Sequence, residues 1–215
     1  MGDPALRIPF GTAVLLILAV IPYAGMMGSL IDAPHSDAAG RGMAVAFGAI
    51  FASLLFVVFS GAFPPGERFF MESVRHFRDQ ITDPVLKAQV SGFMGQEALH
   101  SKEHEAFNKA ATLQGYPVDK LDRDVARLLA FGQKVLPKSV QLAITACLEH
   151  YTAIIAEMLL RDPEVQQKFS PEMRALWMWH AVEENEHKVV AYDVYEKFVG
   201  SYALRVGTMV PVTAI

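Results

Sequence analysis

Glu97-Ala-Leu-His100 and Glu184-Asn-Glu-His187 are the two stretches that decide the fold, because they repeat one spacing in two separate parts of the chain. A glutamate and a histidine three residues apart are neighbours on one face of a helix. Each pair therefore presents a carboxylate oxygen and an imidazole nitrogen to the same point in space. One such pair is common on protein surfaces, whereas two pairs together with isolated acids in apolar surroundings indicate a shared site.

Residues that begin and end helices predict an all-α chain from Pro64 onward. Capping residues followed by proline open two of the helices, and the predicted helices cover about 84–113, 137–161 and 171–199. A shorter segment at 121–131 is interpreted either as a helix or as part of a crossover connection. No alternation of polar and apolar residues is long enough to predict a sheet. The expected fold is a bundle with four main helices.

Two further glutamates stand alone among apolar residues. Glu149 lies in the middle of a predicted helix, and Glu67 follows the stretch Phe63-Pro-Pro-Gly66. In ferritin-like di-metal bundles two helices each supply Glu-x-x-His and the other two each supply one glutamate. The order in this chain is Glu67, Glu97/His100, Glu149, Glu184/His187. The sequence therefore predicts a ferritin-like four-helix bundle with two metal ions, whose four positive charges would offset four costly buried carboxylates.

The position of Glu67 predicts where the first bundle helix begins. The other three glutamates lie about 11 to 14 residues from the starts of their predicted helices. A Glu67 at the same level requires a helix that begins near Ala52–Phe56, with a kink at Pro64-Pro65. The alternative, a helix that begins at Pro64, would place Glu67 in a first turn at the end of the bundle.

Three further histidines lie close to the motifs. His180 precedes Glu184 by four positions on the same helical face, which predicts a third histidine ligand; an outer or exposed histidine is the alternative. His104 follows His100 by four positions and is either a ligand or a partner that holds a ligand in place. His150 points about 100° away from the glutamate beside it, so we expect a structural role for it.

Charge is distributed unevenly along the chain. Lysine, arginine, aspartate and glutamate total 42, of which only five lie in residues 1–66. Ile8–Ile31 and Gly42–Gly66 contain none, and each exceeds the ~20 apolar residues that a membrane-spanning helix needs.

The single cysteine excludes a disulfide scaffold and a cysteine-rich zinc module. The net charge of -4 argues against a nucleic-acid partner.

These patterns predict three segments. Residues 1–51 form a hydrophobic membrane-anchoring segment, either one helix or a hairpin, with a pair of buried core helices as the alternative. Residues 52–200 form the metal bundle. Residues 201–215 begin a further apolar helix, and a truncated C-terminus is an open interpretation. We expect a membrane-associated protein whose metal domain is cytoplasmic, with Ile8–Ile31 as the clearest span and Gly42–Phe63 shared ambiguously between anchor and bundle.

The longer motifs resemble those of a known family. The relevant stretches are Phe63–Phe70, Gly95–Asn108 and Trp179–Asp193. They are similar to a ferritin-like family described as predicted metal-dependent hydrolases, and the resemblance covers roughly Ser60 to the C-terminus. Residues 1–55 do not resemble the usual N-terminus of that family. The spacing His180-x-x-x-Glu184-x-x-His187 also resembles the last ligand helix of di-iron arylamine N-oxygenases, which implies that His180 is an additional ligand.

Three functions follow from these expectations. Mixed carboxylate and imidazole ligands suit iron, with manganese or zinc as alternatives, and favour O2-dependent oxidation of a small, apolar organic substrate. The family resemblance implies the alternative, a hydrolase with a metal-activated water. A non-enzymatic metal or redox protein is the third. A homodimer is compatible with such bundles, although no residue in the sequence indicates one.

Overall fold

The structure is a computed structural model that describes the backbone of residues 38–167 and 169–213, and side chains from Val57 onward except at 168, 172, 214 and 215. Within these residues every regular element is a helix and none is a strand. In chain order the helices are α1 (Ala38–Arg78), α2 (Pro84–Leu113), α3 (Val118–Val135), α4 (Lys138–Arg161), α5 (Pro163–Gln167), α6 (Pro171–Phe198) and α7 (Tyr202–Thr213). The predicted all-α class is confirmed.

The capping residues act as the sequence predicted. Asp83 accepts hydrogen bonds from the backbone N–H groups of Val85 and Leu86, which fixes the start of α2. Ser170 accepts from the backbone N–H of Met173 at the start of α6. Each cap satisfies donors that a helix N-terminus otherwise leaves without partners.

The first helix is longer than the sequence indicated. α1 begins at Ala38 rather than near residues 52–56, and it continues through Pro64 and Pro65. The uncharged run before these prolines contains no signal that would interrupt a helix. The sequence alone therefore did not fix the residue at which α1 begins. Glu67 consequently lies inside a helix, as the longer of the two interpretations required. The prediction for Ile8–Ile31 falls outside the described residues.

The four long helices α1, α2, α4 and α6 surround one core in the unit Val58–Ala214. α4 packs against α6 and α7, and α2 packs against α6 and α3. α1 is tied to α4 by a hydrogen bond between the hydroxyls of Ser73 and Thr145, and to α6 by stacking of Phe77 on Phe198. The apolar core includes Phe69, Val74, Val90, Phe93, Leu142, Val190, Val194 and Tyr195. Beside it lies a second, polar buried layer that contains the motif residues.

One helix in the described part of the chain, α4, is long and apolar enough to cross a membrane. In its most apolar window 44% of the residues are buried inside the protein, and the helix carries the buried Glu149. These features are typical of a core helix, and α4 is treated as one. The membrane prediction for residues 1–51 stays a prediction.

Close packing of α1 on α3 at Gly61 gives a first testable prediction. A Cβ atom at Gly61 would lie 2.9 Å from Val118 Cγ1 and 3.0 Å from Leu121 Cδ2. We expect Gly61→Val to lower the free energy of unfolding by about 1–3 kcal/mol, because extra methyl groups overpack this contact. Gly92→Ala is the matched control, since nothing lies within 4 Å of its Cβ position. Thermal unfolding in detergent measures both; a Gly61→Val variant as stable as Gly92→Ala would contradict the packing.

Candidate metal centre

The structure brings all seven predicted ligands together with His104 in one buried cluster. Four helices contribute to it, and each of the eight residues is at most 7% exposed. The cluster consists of Glu67 from α1, Glu97, His100 and His104 from α2, Glu149 from α4, and His180, Glu184 and His187 from α6. His150, which was assigned a structural role, is exposed on α4.

Donor atoms within the cluster are close enough to share metal ions. Four triplets have ligand atoms that all lie within 4.8 Å of one another. They are Glu67–His104–His180, Glu97–His100–His187, His100–His180–Glu184 and Glu149–Glu184–His187. Because the triplets share members, they form one continuous site rather than four. Its extent suits a pair of ions, which in two-metal enzymes lie about 3.5–4 Å apart.

His100 is oriented by an acid on the opposite helix. Its Nε2 lies 2.9 Å from Oε2 of Glu183, and since a carboxylate accepts, Nε2 carries the proton. The other nitrogen, Nδ1, therefore has a free lone pair and lies 3.3 Å from Oε1 of Glu184. Metal-binding histidines commonly donate their second ring N–H to such a partner, which fixes the ring and its tautomer.

His187 on α6 is oriented in the same way by a residue of α2. Gln96 donates through its Nε2 to Glu186, so its Oε1 is left to accept from Nε2 of His187, 3.2 Å away. Nδ1 of His187 then faces Oε1 of Glu97 at 3.0 Å. The arrangement is reciprocal, because Gln96 on α2 orients a histidine of α6 and Glu183 on α6 orients a histidine of α2.

Sequence analysis assigned no role to these two orienting residues. The signal was present, since Gln96 and Glu183 each directly precede the glutamate of a Glu-x-x-His motif. Adjacent helical residues point about 100° apart, so neither shares the face of its own motif. Only the packing of α2 on α6 shows that each reaches the histidine of the neighbouring helix.

His180 and Glu67 complete the cluster. Nε2 of His180 lies 3.1 Å from Oε1 of Glu184, and its ring stacks on that of His100 with centroids 3.8 Å apart. Glu67 accepts a hydrogen bond of 2.7 Å from the hydroxyl of Ser101 on its Oε2. Its Oε1 faces Nε2 of His104 at 3.7 Å, a distance beyond hydrogen bonding.

The electrostatics of the cluster demand positive charge. Burial raises the pKa of Glu67 to about 8 and raises the pKa values of Glu97 and Glu149 well above their ordinary value. Burial also opposes ionisation of Glu184, but the imidazoles of His100 and His180 beside it hold its pKa well below the usual range. The protein alone therefore supplies little positive charge to offset the ionised forms of Glu67, Glu97 and Glu149.

Unpartnered atoms show that cations fit this site. Among the described residues, several buried oxygen and nitrogen atoms of the cluster have no hydrogen-bond partner. They are Oε1 of Glu67, both oxygens of Glu97, Oε1 of Glu149, Nδ1 of His100, His180 and His187, and Nε2 of His104. Buried polar atoms without partners are rare in native proteins and call for an explanation. Oxygen and imidazole donors that converge in this way suit divalent metal ions.

A family model described as predicted metal-dependent hydrolase matches residues 41–215. The chain belongs to this family. The match includes all eight residues of the cluster and confirms the resemblance found in the sequence. Comparison with curated proteins and with solved structures gave no significant match. Metal dependence is thus a family property, and the buried histidine and glutamate groups of this member are suited to hold the ions.

The raised pKa of Glu67 predicts a pH dependence of the metal-free protein. A carboxyl with a pKa of about 8 when folded, against an ordinary pKa of 4.5, stabilises the fold fully below pH 4.5. That stabilisation is lost as the pH rises through about 8. The Tm of the metal-free protein should therefore fall between pH 5 and pH 8, and Glu67→Gln should reduce the slope. Glu157→Gln, an exposed control on α4 that pairs with Arg161, should leave the slope unchanged; equal slopes in both variants would contradict the burial of an ionisable Glu67.

Proposed function

We propose that this protein is a dinuclear metal hydrolase. The observation that carries the proposal is the convergence of unpartnered carboxylate and imidazole atoms from four helices on one buried volume. Membership of the predicted metal-dependent hydrolase family supports hydrolysis as the reaction. Bound ions would supply a water of lowered pKa as the nucleophile and would stabilise the negative charge that develops on the substrate oxygen bonded to the atom attacked.

Seven residues would hold the two ions. They are Glu67, Glu97, His100, Glu149, His180, Glu184 and His187, which are the residues that the sequence predicted. The carboxylates supply four negative charges, and the imidazoles supply neutral nitrogen donors. Burial raises the pKa values of Glu67, Glu97 and Glu149, which favours their protonated forms in the metal-free protein. Metal binding must therefore displace protons from the cluster.

Glu183 and Gln96 have a positioning role in this proposal. Each fixes the tautomer of the histidine opposite, so that the lone pair of Nδ1 points at a buried carboxylate. Glu183 is 17% exposed, so it is in contact with solvent as well as with the cluster. It lies at the edge of the cluster, where a proton can pass between the buried groups and water.

Aromatic side chains around the cluster support a small, apolar substrate. The ring of Trp179 packs edge-on against His100, and Phe63 lies 4.7 Å from the ring of His104. Trp177 lies 5.0 Å from the same ring. Aromatic walls of this kind exclude water, which strengthens electrostatic effects inside a site. A charged substrate would lose its hydration here without a matching partner in the wall.

Oxidation with O2 is the second candidate, and the ligand set favours it. Four carboxylates and three histidines on four helices correspond to the ferritin-like di-iron arrangement, with His180 as the extra histidine. Iron is then the expected metal, whereas hydrolysis is also compatible with zinc or manganese. Residues 1–51 are proposed to anchor either enzyme to a membrane, because Ile8–Ile31 is long and uncharged.

Metal content gives a direct prediction. The full chain, purified in detergent after growth with added metal, should contain about two divalent ions per chain by elemental analysis. Glu97→Ala and Glu184→Ala should each lose metal, because both side chains belong to the shared triplets. Glu157→Gln is the control, since its side chain is 44% exposed and pairs with Arg161. Two ions retained in both cluster variants would contradict the proposed site.

Reaction type is tested on the same preparation. Samples loaded separately with zinc, manganese and iron should be assayed for cleavage of apolar aryl esters and for O2 consumption after reduction. Hydrolysis predicts ester cleavage that needs metal and is lost in Glu184→Ala, with no uptake of O2. Rapid O2 consumption by the reduced iron form, without metal-dependent cleavage, would contradict hydrolysis and favour the second candidate.

A further inference from the structure

A proline in α1 leaves one backbone carbonyl without its helical partner. In an α-helix the N–H of residue i donates to the carbonyl of residue i-4. Pro64 has no N–H, so the carbonyl of Ser60 cannot be satisfied within the helix. Ser60 is fully buried, and water does not replace the missing donor. The donor is supplied instead by Nδ2 of Asn108 on α2, at 2.7 Å.

This contact fixes the orientation of the Asn108 amide. A carbonyl can only accept, so the NH2 group of Asn108 must point at the backbone of Ser60. Its Oδ1 is then the atom that faces the hydroxyl of Ser60, at 2.7 Å, and the hydroxyl donates to it. The single proton of the Ser60 hydroxyl is thereby used.

The same hydroxyl sets the tautomer of His104. Oγ of Ser60 lies 2.9 Å from Nδ1 of His104. Because the hydroxyl proton already goes to Asn108, this oxygen can only accept, and Nδ1 of His104 must carry the ring proton. Nε2 is left with a bare lone pair in a side chain that is 1% exposed. It has no hydrogen-bond partner among the described residues.

The lone pair of His104 faces a second electron-rich atom. Oε1 of Glu67 lies 3.7 Å from Nε2, and the other oxygen of Glu67 is engaged by Ser101. A proton shared between the two atoms would bring them within about 3 Å. Two ligands about 2.1 Å from one ion lie about 3.0–3.6 Å apart for ligand–metal–ligand angles of 90–120°. The separation is therefore close to that of two ligands of one cation, and His180 completes the triplet.

We propose that His104 is a metal ligand through Nε2, in the tautomer set by Ser60 and Asn108, and that it shares its ion with Glu67 and His180. This inference rests on the proposed dinuclear site and extends it by one ligand. The two ions then have different surroundings. The ion beside Glu67 is bound by His104 through Nε2, whereas His100 and His187 present Nδ1.

Zinc titration of the full chain in detergent tests the inference. The unaltered protein should bind two Zn²⁺ ions per chain. His104→Leu should keep one tightly bound ion and bind the second at least 100-fold more weakly. Ser60→Ala should weaken the second ion by about 10- to 100-fold, which is typical when a partner that orients a ligand is removed. Two controls should bind as the unaltered protein does: His150→Leu, an exposed histidine, and Ser73→Ala, a buried serine of α1 bonded to Thr145.

The outcomes separate this inference from the proposed function. Fewer than two Zn²⁺ ions on the unaltered chain would overturn the dinuclear site itself. Two ions on the unaltered chain and two equally tight ions on His104→Leu would overturn only the role of His104.

A measurement on the unaltered chain keeps the inference testable if His104→Leu does not fold. Nitrogen-15 spectra of the Zn²⁺-loaded, histidine-labelled protein distinguish the metal-bound ring nitrogen from the protonated one. We expect His104 to be bound through Nε2, and His100 and His187 to be bound through Nδ1. A protonated Nε2 on His104 in the Zn²⁺-loaded protein would overturn the inference.

Discussion

Four carboxylates buried in one small volume are the constraint on which the rest of the structure depends. Each of Glu67, Glu97, Glu149 and Glu184 is at most 7% exposed, and the described residues place no lysine or arginine among them. Burying ionised carboxylates without compensation is prohibitively costly. Raised pKa values relieve part of that cost in the metal-free protein, and two divalent ions would relieve it without protons.

The helices are arranged so that several of the ligand side chains are also held by partners outside the cluster. Glu183 and Gln96 reach across between α2 and α6, and Ser101 engages the outer oxygen of Glu67. Side chains fixed in this way need little rearrangement to bind an ion, which is the purpose of orienting partners in metal sites. The apolar core centred on Phe93 and Leu142 lies beside the cluster and keeps the helices in register.

The sequence predicted the parts of this arrangement that depend on helical periodicity. Glu97 and His100 share a face whatever their surroundings, and the caps at Asp83 and Ser170 act locally, so the motif and its helices were found without coordinates. Contacts between helices were not predictable in this way. The reach of Gln96 to the opposite helix depends on how two helices pack, and a single sequence does not encode that as a local pattern. The start of α1 at Ala38 was missed because an apolar run without stop signals has no local boundary.

The most direct test is a structure of the metal-loaded protein in which anomalous scattering locates the ions. The account predicts two peaks about 3.5–4 Å apart, both within the cluster that Glu67, Glu97, Glu149 and Glu184 surround. The peak nearer Glu67 should adjoin His104 and His180, and the other should adjoin Glu149 and His187. An empty cluster, or peaks confined to acidic residues on the surface, would contradict the central claim that these buried carboxylates exist to hold a pair of metal ions.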